Sequence, residues 1–254
     1  MSPFTPEQAS RLLTSFTNFL TIATHSILYH RALYPAASFL TARAYNLPVH
    51  QSRHPGLCTW IRDAVASAAD QIRAGAAHAL FIVIYSPTSA VLERWVFDLS
   101  SFPASFGDKA KVSRDFKTGD TGGDVNWADV DEALRGALRR IAFRAEGKGK
   151  LPEGCTFTIA VELRDEAEPP ISHPQVWIPS EPSLQVPSHR YPHHGTARGG
   201  ELTTPIRAVQ AGPLFFECWV EEREEEAASS SQAEENEMDV TIGSDITTLS
   251  QQII

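Results

Sequence analysis

At 254 residues, 42% hydrophobic and 21% charged, the chain has the composition of an ordinary globular protein with room for one large domain or two small ones. Its net charge of −9 is carried wholly by one end: from Glu221 onward eight Glu and two Asp face one Arg, so residues 1–220 sum to zero. A neutral body argues against a protein whose main task is gripping nucleic acid, which takes Lys and Arg in number. No apolar run reaches the roughly 18 residues of a membrane span, and the N-terminus lacks a signal-peptide pattern. Three well-separated cysteines, Cys58, Cys155 and Cys218, without a CxxC pair, fit a reducing compartment, cytosol or nucleus.

In chain order, residues 1–9 read as a short mobile lead, with Thr5-Pro6-Glu7 offering a helix start. The first helix runs to about Tyr34. Leu12, Phe16, Phe19, Leu20, Ala23 and Ile27 form its stripe, and Leu13, Ile22 and Leu28 widen it, so it should be buried on several sides as the central core helix. Tyr34-Pro35 ends it, because a residue before proline leaves the α region. Ala36 to His50 should form a hairpin or short strands, with Tyr45 to Val49 as an edge or hairpin strand broken by Pro48. His54-Pro55 starts a second helix with Leu57, Ile61, Ala64, Val65, Ala68 and Ile72 on one face and Gly75 as its stop.

Ala79–Tyr85 and Val91–Leu99 read as two strands joined by the turn Ser86-Pro87-Thr88-Ser89. Residues 102–125, rich in Gly, Asp and Lys, read as an inserted flexible loop. Asn126, in a capping box with Asp129, starts a third helix. Val130, Leu134, Ala137, Leu138 and Ile141 line its apolar face, Arg135, Arg139 and Arg140 lie off it, and Gly147-Lys148-Gly149-Lys150 ends it. Cys155 to Leu163 alternates as a half-buried strand. A proline-rich span follows to Gly212, then a strand over Leu214–Val220, then an acidic tail, 224–254, expected to be disordered. The Asp239–Ile254 end regains Val, Ile and Leu and could serve as a short docking motif.

Chemistry-bearing residues are few. His189, His193 and His194 have no Cys or carboxylate partner at ligand spacing, which favours a solvated loop over a metal site. The glycines at 119, 122, 123, 147 and 149 match no phosphate-binding loop. His25, mid-helix among apolar neighbours, reads as a satisfied core histidine, and Cys155 as a structural thiol. Neither an enzyme, a cofactor nor a metal is expected. The proline-rich span keeps two readings open. Composition favours a disordered loop, whereas Val176-Trp177-Ile178-Pro179 and Pro205-Ile206-Arg207-Ala208-Val209 offer two anchors for a strap lying across the body.

Several blocks together resemble the HORMA domain, specifically the non-catalytic accessory subunits of DNA polymerase zeta, over roughly residues 10–222. They are His25-x-Ile27-Leu28-Tyr29-x-Arg31-x-x-Tyr34-Pro35, Tyr45-Asn46-x-Pro48-Val49, His54-Pro55, Glu93-Arg94-x-Val96-Phe97, Pro152-x-Gly154-Cys155-Thr156-Phe157-Thr158, Trp177-Ile178 and Val220-Glu221-Glu222. The resemblance implies an α+β domain over 10–223: a mostly antiparallel sheet, three packed helices and a C-terminal safety belt, about 166–220. The belt would close over a proline-containing peptide of the polymerase catalytic subunit, added as a strand at the sheet edge. Peptide-binding positions fall on Trp60 (a family tyrosine), Trp177, Tyr34 and Pro179 (a family apolar residue). Arg135 matches an arginine of the HORMA–HORMA homodimer. Glu217, Trp219 and Thr203 fall where the family receives the C-terminal domain of a Y-family polymerase, Thr203 departing from a family leucine. A nuclear translesion-synthesis adaptor is implied. The other reading is a spindle-checkpoint or meiotic-axis adaptor with different closure peptides. The 102–125 insertion, His189–Gly200 and the tail have no counterpart in the family.

Overall fold

A computed structural model describes residues 5–103, 125–165, 167–170, 177–178 and 202–222. Pro179, His189, His193, His194, the inside of the 102–125 insertion and the acidic tail lie outside these residues.

Helix α1 (Pro6–His30) starts where Thr5 and Gln8 close a capping box, so residues 6–9, expected in the lead, are helical. It ends at His30, a turn before the expected Tyr34, and Ala32 there has φ 52°. Phe16, Phe19, Leu20, Ala23, Ile27 and Leu28 are fully buried, which makes α1 the core helix. A short 3-10 turn (Ala36–Ser38) leads to the hairpin β1 (Phe39–Ala44) and β2 (Leu47–Ser52). Tyr45 and Asn46, expected at the head of a strand, are instead the two-residue turn, with φ 48° and 58°. Positive φ at both central positions is the primed turn that matches strand twist.

Helix α2 (Pro55–Arg73) is capped by His54, whose Nδ1 accepts the Leu57 amide at 3.2 Å, and stops at Gly75 with φ 70°. Helix α3 (Trp127–Glu146) is capped by Asn126 through the Ala128 amide. Asp129, placed in a box by the sequence, is a short acid in the first turn, suited to the helix dipole.

The main sheet is antiparallel throughout, in the order β5-β3-β4-β7-β6. It comprises β3 (Ala77–Tyr85), β4 (Val91–Asp98), β5 (Thr156–Leu163), β6 (Leu202–Ala211) and β7 (Leu214–Glu222). Strand β6 is absent from the sequence reading. Its Thr-Thr-Pro start and the register shift between Pro205 and Arg207 break the alternation that reveals a strand. The three helices pack on one face, over Leu80, Ile82, Ile84, Trp95, Phe97, Phe216 and Val220. At its centre Phe16 and Phe19 meet Phe216 at 5.1 and 5.4 Å between ring centroids. Phe102 and Val125, the two ends of the inserted loop, are buried in the same core.

Three histidines surround the α1–hairpin contact. His25 is buried and its Nδ1 faces the Ser52 amide at 3.4 Å; His50 stacks on Tyr29 at 3.5 Å, with His30 edge-on at 5.7 Å. Burial holds all three below the ordinary value of 6.5, Glu146 partly opposing it at His30 and His50 adding to it there. A depressed folded pKa gives stability that is present above 6.5 and lost as pH falls through the folded values. Thermal melts should therefore show a lower Tm at about pH 5.5 than at about pH 7.5, with His25→Gln flattening the dependence. An unchanged wild-type Tm would refute this.

Candidate functional site

An exposed sheet edge can accept an extended peptide, and this sheet has two edges of opposite character. Among the described residues, β5 pairs only with β3, and Thr156–Leu163 contains no proline. At the other edge β6 is closed to pairing in three ways. Pro205 lacks an N–H, a bulge follows it, and the Ile206 carbonyl already accepts Arg140 Nη1 at 3.1 Å. Among the described residues the receptive edge is β5.

Beside that edge three aromatic side chains from distant parts of the sequence converge. Phe157 of β5 is half-buried. Trp60 from α2 stands edge-on to it at 5.2 Å and 82°, and Tyr34, after α1, does so at 6.5 Å and 87°. Trp60 and Tyr34 each keep 37% of their surface exposed, so the cluster is an open aromatic wall rather than core. Burial raises the pKa of Tyr34, which keeps its phenol protonated and able to donate a hydrogen bond. Tyr34 and Trp60 are among the peptide-binding positions that the family resemblance implies, whereas Phe157, part of a matching block, is not. An aromatic on an edge strand, alternating toward the helix face, was the available signal.

The chain leaves β5 at one edge of the sheet and re-enters as β6 at the opposite edge, so residues 164–201 connect the two. Within that span Trp177 is half-buried against the main core, while Ile178 next to it is 82% exposed.

The remaining predicted residues lie elsewhere. Glu217 and Trp219 of β7 and Thr203 of β6 share the sheet face away from the helices. There Trp219 packs against the cluster of Ala79, Phe81, Val83, Val91 and Val96, and its indole N–H donates to Glu221 at 2.9 Å. Glu221 faces Arg94 at 3.4 Å, whose guanidinium lies 4.6 Å over the Phe81 ring. This patch sits at the edge far from the aromatic wall. Arg135 is half-exposed on α3 and pairs with Glu132. Arg139 and Phe143 continue its face at helical spacing, and Phe143 is 78% exposed, an apolar residue the sequence reading passed over. Among the described residues no three His, Cys, Asp or Glu gather as metal ligands.

The HORMA domain matches residues 13–205. The DNA polymerase zeta processivity subunit of Schizosaccharomyces pombe is 30% identical over 81% of this chain and 90% of its own length. The mitotic spindle assembly checkpoint protein MAD2B of Danio rerio is 27% identical over 83% and 90%. Among solved structures, a chain of the mitotic checkpoint complex superposes with a TM-score of 0.60 at 22% identity, covering 83% of this chain and 98% of that one. The HTP-2 protein of C. elegans bound to HTP-3 closure motif 1 gives 0.58 at 12% identity, covering 84% and 86%.

Proposed function

Because this chain belongs to the HORMA domain family, we propose that it is a non-enzymatic adaptor of the polymerase zeta type. It captures a proline-containing peptide of the polymerase catalytic subunit and presents a second face to the C-terminal domain of a Y-family polymerase, acting in the nucleus in DNA damage tolerance. The observation that carries the reading is the open β5 edge flanked by Phe157, Trp60 and Tyr34. Backbone pairing along β5 supplies affinity without regard to sequence, and an aromatic wall selects for proline, whose restricted backbone costs little to order. The Trp177 anchor supports a strap that closes over the added strand.

The patch of Glu217, Trp219 and Thr203 lies at the opposite edge, so two ligands can bind together without competing. The experiment is a two-step calorimetric titration: first the proline-containing peptide, then the Y-family domain. Sequential saturation supports the adaptor. Displacement of the first ligand by the second, or no binding of the peptide, overturns it.

On α3, the Arg135–Arg139–Phe143 face supports a homodimer, since a charged rim around an exposed aromatic gives register and contact area. Arg135→Ala should shift the dimer toward monomer without unfolding. Light scattering that gives an unchanged dimer mass would refute it.

A further inference from the structure

Strand β7 pairs with β4 in a register that places Glu222 directly across from Glu93. Two like charges facing each other across strands repel, and Glu93 is 5% exposed and Glu222 22% exposed, so water screens them poorly. Arg31 pairs with Glu93 at 2.8 Å and Arg144 with Glu222 at 2.9 Å, and among the described residues the one cation that reaches both carboxylates comes from the Gly-Lys-Gly-Lys run after α3, which composition alone reads as linker.

The Lys148 side chain is 5% exposed, pairs with Glu222, and lies 3.9 Å from Glu93 Oε1 and 5.5 Å from the Trp95 ring centroid. Its neighbours hold it there. The Gly149 carbonyl accepts Arg31 Nη1 at 2.8 Å, and Arg144, one turn earlier on α3, reaches Glu222 and Thr204 Oγ1, each at 2.9 Å. One helix terminus thus grips both strands of the C-terminal hairpin. Burial alone would push the Glu222 carboxyl up, but hydrogen bonds and charge from Lys148 and Arg144 outweigh it and hold it below the ordinary value.

We propose that Lys148, with Arg144, is the latch that seats the β6–β7 hairpin beside β4. On the function proposed above, the latch also fixes the far end of the strap and so sets how long a captured peptide is held. Lys148 touches no peptide; it is a positioning residue, acting through Glu222.

The test is hydrogen exchange of the full chain without peptide, comparing β6–β7 amides with those of β3. Lys148→Met should speed hairpin exchange at least about tenfold, the size expected for a lost charge-assisted bond, and leave β3 unchanged. Lys148→Arg should restore slow exchange. Glu222→Gln serves as the second variant should Lys148→Met not fold, and the two together should exchange no faster than the faster single variant. Hairpin exchange at the wild-type rate, or equal acceleration in β3, overturns the latch. Peptide dissociation, followed by fluorescence, should quicken by a similar factor. A wild type that captures no peptide, with hairpin exchange still dependent on Lys148, would leave the latch standing and bring down the capture reading alone.

Discussion

Trp60→Ala is expected to weaken capture of a proline-containing polymerase peptide by about 2–4 kcal/mol, the range for an aromatic at the centre of an interface. That is roughly thirty-fold or more in Kd, since each 1.4 kcal/mol is about tenfold. The expectation rests on geometry: Trp60 stands edge-on to Phe157 at 5.2 Å while keeping 37% of its surface free for a ligand. The same partial exposure means little core is lost, so the variant should fold. Phe157→Ala should cost as much, because both Trp60 and Tyr34 lean on that ring. Trp219→Ala, at the far edge, should leave capture nearly intact. Titrating the peptide into wild type and these variants decides the matter; equal binding by all would sink the assignment of the wall.

Glu93→Ala is expected to destabilise the domain by about 3–5 kcal/mol, the penalty for breaking one side of a buried ion pair. Glu93 accepts Arg31 Nε at 3.0 and 3.2 Å and the Trp95 indole N–H at 3.0 Å, and both Arg31 and Glu93 are buried. Truncation leaves a guanidinium and an indole N–H without this partner in the interior. For a domain of this size the loss is a fall in Tm of roughly 10 °C. Replacing both partners together with apolar residues should cost less than either alone, because no charge is then stranded. Urea unfolding that shows a loss under about 1 kcal/mol for Glu93→Ala would refute the account.

What the sequence determined by itself was of short range. The stripe of Phe16, Phe19, Leu20 and Ile27 specifies a helix and the face it buries. Asn126, His54-Pro55 and Gly75 set helix ends, because caps act within one turn. The continuous apolar run from Ala79 to Tyr85 announced a strand buried on both faces. The resemblance to the HORMA family, carried by blocks whose order and spacing survive, named the fold that the domain match and the sheet architecture bear out.

What only the tertiary structure decided was everything that depends on pairing across long separations. Local periodicity cannot say which sheet edge stays open, and β5 and β6 differ through Pro205, a bulge and an arginine from another element. It cannot bring Tyr34, Trp60 and Phe157 together, since the contacts that join them lie far apart along the chain. Nor could it tell that Glu93 and Lys148 are buried. A charged residue in a strand or a glycine-flanked lysine looks solvated until the register sets one carboxylate opposite another and Arg31, Arg144 and Lys148, from other elements, close in on them.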